Sequence, residues 1–306
     1  MKIRLILFGL LLSSLSALAQ QEAQYTQYMY NTLNINPGYA GSRGVISILA
    51  MHRNQWVGLD GAPKTNTVTM HTPMGVNSRV GLGVSFVNDE LGPSDENTIS
   101  VDFSYTIPTS ENYNLAFGLK GTADWLNVDF SKTKIFNQND PFANRTNIDN
   151  RFNPNVGVGA YWYSNNGYFG LSVPYLLQRT YYDNDIQFTA SERMHLHAIA
   201  GYVFDLSTEV KFKPAILTKV VQGAPLQVDL SANVLFFDKL SMGLAYRWSA
   251  ALSGLVGFQI SDSLMVGYAY DKETTRLGNF NSGSHEIFLR FEPFSKYDKV
   301  VSPRFF

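Results

Sequence analysis

Few side chains in this chain are placed to do chemistry. His195 and His197 stand two residues apart, so in a strand both rings point to one face. Two imidazoles begin a metal site, but zinc needs three or four ligands and no third follows at a ligand spacing, so hydrated polar side chains are the plainer reading. Asp89-Glu90 and Asp95-Glu96 fall in what reads as one outer loop, where carboxylates could hold calcium; a solvated loop again suffices. The chain has no His-Glu-x-x-His pair, no Gly-x-Ser-x-Gly elbow, no phosphate-cradling glycine motif and no Cys. That removes thiol chemistry, disulfides and a lipid anchor on an N-terminal Cys. The expectation is a protein that is not an enzyme and carries no cofactor and no metal; a hydrolase built on a barrel wall would depend on His195 or His197.

The elements that position these residues are strands. At the N-terminus Lys2 and Arg4 precede an apolar run, Leu5 to Leu12, and a small-residue stretch ending at Ala19, which reads as a signal peptide over residues 1–19. Beyond it no apolar run approaches the roughly 18 residues of a membrane helix. Charged residues make up 16% of the chain and aromatic ones 14%, with 21 Phe and 17 Tyr, so the apolar content must be spread along alternating segments. The net charge of −1 gives no reason to expect a nucleic-acid partner.

The period is 2. Leu264, Val266, Tyr268 and Tyr270 alternate with Met265, Gly267, Ala269 and Asp271; Leu240, Met242, Leu244, Tyr246 and Trp248 alternate with Ser241, Gly243, Ala245 and Arg247; Ile99 to Ile107 repeats the pattern. A soluble β-barrel also alternates, but here Lys120, Asp124, Asp229, Arg247, Glu286 and Arg290 lie on the second face, where a dry core would make them prohibitive. A water-filled lumen removes that cost. Aromatic residues at segment ends, among them Tyr105, Trp125, Trp162, Tyr202, Phe204, Trp248, Tyr270 and Phe291, suit interfacial girdles. The fold expected is all-β: a transmembrane, antiparallel outer-membrane β-barrel of about fourteen strands over residues 44–292, exported in a Gram-negative bacterium and surrounded by outer-membrane lipid. Short turns are read at 77–78, 109–112, 164–166, 206–208, 238–239 and 261–262, and longer connections at 53–65, 89–95, 129–151, 176–192, 221–224 and 271–282. Short periplasmic turns and long extracellular loops place both termini in the periplasm. The short connection at 248–250 breaks the alternation of lengths, and the strands near 45–51 and 168–174 alternate poorly.

Residues 20–43 are a periplasmic N-terminal segment of different character. Tyr25, Tyr28, Met29 and Tyr30 are too aromatic for a free tail, and three placements are open: a plug in the barrel mouth, an interface to a partner, or a pre-strand lining the first wall. Pro37-Gly38 turns the chain toward the first strand. Residues 293–306, proline-broken and ending in Phe305-Phe306, read as a periplasmic tail suited to docking.

The blocks Gln24-Tyr25-Thr26-Gln27-Tyr28-Met29-Tyr30-Asn31, Asn36-Pro37-Gly38-Tyr39-Ala40-Gly41, Arg53-Asn54-Gln55-Trp56-Val57-Gly58 and Gly61-Ala62-Pro63-Lys64-Thr65 resemble the N-terminal signature of the PorP/SprF family. These are outer-membrane proteins of the type IX secretion system and gliding motility machinery of Bacteroidota. The resemblance is specific over about residues 24–73 and diffuse beyond. It implies a barrel that works with secreted surface proteins, such as adhesins, carrying the longer, type B C-terminal domain, in contact with other components of the apparatus. Aromatic anchors typically carry binding energy, so the candidate partner-binding residues are Tyr25, Tyr28, Tyr30, Arg53, Gln55 and Trp56, with Phe136, Phe142, Tyr181 and Tyr182 in the long loops. The alternative function is a passive outer-membrane pore or solute transporter.

Overall fold

The computed structural model describes residues 23–75, 78–133, 146–177, 179–180 and 191–293. Among them fourteen strands close into an antiparallel barrel. In chain order they are β1 (Ser47–Asn54), β2 (Lys64–Met74), β3 (Val80–Leu91), β4 (Ser94–Pro108), β5 (Asn114–Val128), β6 (Ile148–Tyr163), β7 (Gly167–Val173), β8 (His195–Tyr202), β9 (Val210–Val221), β10 (Gln227–Phe236), β11 (Leu240–Arg247), β12 (Ala251–Ser261), β13 (Leu264–Glu273) and β14 (Ser284–Phe291). Each pairs with its sequence neighbours, and β1 closes the ring on β14 from Ile48 opposite Phe291 to Asn54 opposite His285. Closure leaves no unpaired strand edge, which a bilayer requires. Among the described residues no helix is long and apolar enough to cross a membrane.

The alternation sorts as the sequence predicts. Leu119, Leu244 and Leu252 project outward at 60%, 64% and 51% exposure, with Tyr105, Trp162, Tyr202, Phe204, Trp248 and Phe291 also exposed on the outer wall. The inner face carries Ser100, Asp102, Ser104, Lys120, Thr122 and Asp124, all buried. The solvent expected behind that face needs correction. Lys120, Asp124, Asp229, Glu286 and Arg290 do point inward, but they are nearly inaccessible rather than bathed in a wet lumen. Lys120 pairs with Asp102 at 3.0 Å and Asp229 with Arg247 at 2.5 Å, while Asp124 accepts from Thr98 at 2.9 Å. Pairing, not hydration, makes their burial tolerable.

The connections at one mouth, 75–79, 109–113, 164–166, 203–209, 237–239 and 262–263, are none of them longer than seven residues. The other mouth holds 55–63, 129–147, 174–194, 222–226 and 274–283, with two tight exceptions at 92–93 and 248–250. The exception at 92–93 overturns the loop read over 89–95. β3 and β4 instead run on as one hairpin, Asp89 opposite Glu96 and Glu90 opposite Asp95, turning on Gly92 at φ 56°. Backbone pairing tolerates charged side chains in a hairpin, so polarity alone does not mark a loop.

Residues 23–46 run from one mouth of the barrel to the other. Gln24 and Thr26 bond to strand ends at the loop-side mouth, through Gln227 and Asp271, whereas Glu292 sits at the short-turn mouth bound to Arg43. Between them the segment descends through the lumen with a single helical turn, α1 (Thr32–Ile35), and a 3-10 turn over Pro37–Tyr39, before entering β1.

Candidate functional site

The barrel interior is organised around this segment. Its upper part is held by charge. Arg53 on β1 donates from Nη2 to Asp271 of β13 at 2.7 Å and from Nη1 to Glu286 of β14 at 3.0 Å. Glu286 in turn accepts the backbone N–H groups of Thr26 and Gln27, at 3.0 and 2.8 Å, and the Thr26 hydroxyl reaches Asp271 at 2.6–2.7 Å while accepting from Arg53 at 2.9 Å. Two carboxylates, one guanidinium and three donors of the segment thus form a closed, buried network, the arrangement in which charge-assisted bonds are strongest. Beside it the Tyr25 hydroxyl shares a 2.7 Å bond with Thr67 of β2, and lower down Tyr28 meets Ser231 of β10 at 3.1 Å.

The middle is aromatic. The Tyr30 ring packs on Phe288 with centroids 4.3 Å apart, and Lys213 and Arg290 lie 5.9 and 5.5 Å from its centroid, close enough for cation–π attraction. Leu49, Met51 and Met265 complete this cluster from the wall.

The lower part is fitted by shape. Asn36 caps the following 3-10 turn, its Oδ1 accepting from Gly38 N at 2.9 Å, while its Nδ2 donates to the wall carbonyls of Ala160 and Leu171 at 3.0 and 3.3 Å. Pro37 occupies the first position of that turn, where its missing N–H costs nothing. Ser172 and Ser104 donate to Ile35 O and Ala40 O, both at 2.7 Å. The wall is hollowed to match. A Cβ at Gly159 would lie 2.2 Å from Asn36 Oδ1, at Gly118 2.2 Å from Gly38 N, and at Gly81 2.1 Å from Ala40 O. These inward glycines on β3, β5 and β6 make a groove that any side chain would fill. Replacing Gly159 by Leu is expected to expel the 36–40 stretch without unpairing the barrel. Limited proteolysis of the detergent-solubilised protein should then cut within 24–46; wild-type resistance in the variant would show that the groove is not what seats the segment.

The positions picked out from sequence divide accordingly. Tyr25, Tyr28, Tyr30 and Arg53 come together inside the barrel. Gln55 and Trp56 sit at the loop-side rim, where Trp56 donates from Nε1 to Glu273 at 2.8 Å and Val57 N bonds to Gly283 O at 2.9 Å, knitting the 55–63 loop onto the 274–283 connection. Phe136, Phe142, Tyr181 and Tyr182 lie outside the described residues, as do residues 1–19 and all but the first residue of the 293–306 tail. His195 and His197 face inward with ring centroids 6.3 Å apart, and among the described residues no group of three metal-ligating side chains forms. Asn36 and the inward glycines escaped sequence reading as site residues. The signal available was the recurrence of Gly at inward positions in β3, β5 and β6, where neighbouring strands carry Ser, Thr or charge.

Several solved structures resemble the fold: a Pseudomonas aeruginosa FadL homologue at 13% identity, covering 81% of this chain and 89% of that one with a TM-score of 0.42; the CymD monoaromatic hydrocarbon channel at 11%, covering 88% and 93% with a TM-score of 0.46; and the KdgM porin at 8%, covering 80% and 98% with a TM-score of 0.36. No curated protein sequence matches the chain. The sequence profile of the family described as type IX secretion system membrane protein PorP/SprF matches residues 17–291. A match over that much of the chain, on a closed fourteen-stranded barrel, identifies it as a member of the PorP/SprF family, an outer-membrane component of the type IX secretion system.

Proposed function

We propose that the protein is a closed barrel that binds, anchors or assists export of a cell-surface protein by gripping its type B C-terminal domain at the loop-side mouth. The observation that carries this reading is the filled lumen. Residues 24–46 occupy it from one mouth to the other, bonded to the wall at both ends, so the broad surface left for a large partner is the rim and not a conduit. The same observation weighs against the passive pore. In this reading the longer connections face outside and the short turns face the periplasm, as is usual for such barrels. The C-terminal end after Phe291 then lies in the periplasm, where the 293–306 tail is available to other components of the secretion or gliding machinery.

Gln55 and Trp56 belong to the partner surface directly, together with Phe136 and Phe142 in the 129–147 connection and Tyr181 and Tyr182 in the 174–194 connection. Tyr25, Tyr28, Tyr30 and Arg53 serve it from beneath, by fixing the segment and the strand ends on which the rim is built. Affinity-tagged protein extracted gently from native membranes is expected to bring a surface protein with a type IX C-terminal domain with it, identified by mass spectrometry. Isolation as a lone barrel that passes a steady ionic current in planar bilayers would instead establish the pore.

A further inference from the structure

The outer wall carries an apolar groove of about 690 Å³ where β7, β8 and β9 approach the short-turn mouth. Its floor is low because Ala200 stands between Phe169 and Ile216 in one outward row, with Pro214 following toward the mouth. Two aromatic pairs form its rim. Tyr113 stacks on Trp162 with ring centroids 4.6 Å apart, and Tyr202 packs on Phe204 at 4.8 Å. The floor also holds a polar defect. Gly201 stands opposite Ala215 and Phe204 opposite Phe212, so Tyr202 faces Pro214 across the seam between β8 and β9. Val203 N donates to Asn166 O on the β7 side at 2.8 Å, which turns the N–H and C=O of Tyr202 toward β9. Pro214 has no N–H to give. The ladder pairing accordingly stops at Gly201 and resumes at Phe204, and the Tyr202 carbonyl loses its rung. Such a gap is unusual in a central strand and costly beside hydrocarbon.

We propose that this groove binds one phospholipid with a primary ammonium headgroup, the ammonium donating to Tyr202 O while an acyl chain lies over Ala200. The site is separate from the partner surface at the loop-side mouth and lies toward the opposite end of the barrel. Three features favour this occupant. The wall meets lipid, so an acyl chain is the apolar filler at hand. The aromatic rim marks headgroup depth and brings a headgroup level with the carbonyl. A carbonyl flanked by π faces is matched by a cation that also donates a hydrogen bond. A primary ammonium meets both conditions, whereas a quaternary choline has the charge without an N–H and a glycerol headgroup has hydroxyl donors without the charge.

Phosphatidylethanolamine, phosphatidylcholine and phosphatidylglycerol with the same acyl chains separate these cases when each is titrated into the detergent-solubilised full chain and bound adducts are counted by native mass spectrometry. One phosphatidylethanolamine is expected to be retained at a concentration on the order of tenfold below that needed for the other two, the scale of one hydrogen bond to a charged group. Pro214→Ala returns the missing N–H to the seam and should erase that preference, with heat-modifiable gel mobility confirming a folded barrel. Ala200→Leu fills the floor and should weaken retention of all three lipids. Equal retention of the three by the wild-type protein overturns the proposal without recourse to any variant, as does a stronger hold on the choline or glycerol headgroup. A preference that survives Pro214→Ala overturns it too, because the Tyr202 carbonyl would then not be the acceptor.

Discussion

Arg53→Met is expected to cost about 3–5 kcal/mol of stability, the range found when one partner of a buried ion pair is removed. Arg53 is 2% exposed and is the cation common to Asp271 and Glu286, so its loss leaves two buried carboxylates facing each other across the segment. It also withdraws a donor from the Thr26 hydroxyl, loosening the stretch that Glu286 holds by its backbone. Trp56→Phe, by contrast, removes one rim hydrogen bond to Glu273 and should cost about 1 kcal/mol. The comparison is made by refolding into micelles along a urea series and following heat-modifiable gel mobility. The triple variant Arg53→Met, Asp271→Asn, Glu286→Gln should recover much of the loss, because it withdraws the stranded charges rather than their partner. A single Arg53→Met variant with a wild-type midpoint would mean that the network is not what secures the segment.

The wall was legible in the sequence because a bilayer imposes one rule on every strand. Side chains such as Leu244, Val101 and Leu264 must meet hydrocarbon, and alternation marks them. Where the signal faded, the cause is the inner segment. Leu49 and Met51 on β1 and Tyr168 on β7 are apolar on the inner face because they pack against it, which erases the contrast that alternation depends on. The interior was legible in part. Lys120, Asp229 and Glu286 announced a second face that was not an ordinary core, but not what would neutralise them, since Asp102, Arg247 and Arg53 come from other strands and pairing depends on register. The signature blocks around Asn36 and Arg53 marked important residues without saying for what. Their chemistry is spent mainly within the chain: Asn36 on a cap and two wall carbonyls, Arg53 on two carboxylates and a threonine.

Deleting residues 24–43 is expected to convert a silent protein into a conducting one. A fourteen-stranded ring is wide enough to need filling, and here the filling is Tyr25, Tyr28, Met29, Leu33 and Tyr39 with the backbone that carries them, all buried. Without it Arg53, Lys213, Glu286 and Arg290 would be left lining an aqueous path, where each can hydrate and none prevents the ring from closing, because β1 pairs with β14 through its own backbone. Reconstituted in planar bilayers, the wild-type protein should give no steady unit current and the deletion should give one that persists, with heat-modifiable mobility confirming that the barrel has formed. Arg290→Glu added to the deletion reverses one of the exposed cations and should shift the channel's preference toward cations, since charged side chains lining a pore set its selectivity. A folded but silent deletion barrel would assign the block to other parts of the chain, and a wild-type protein that already conducts would return the passive pore to first place.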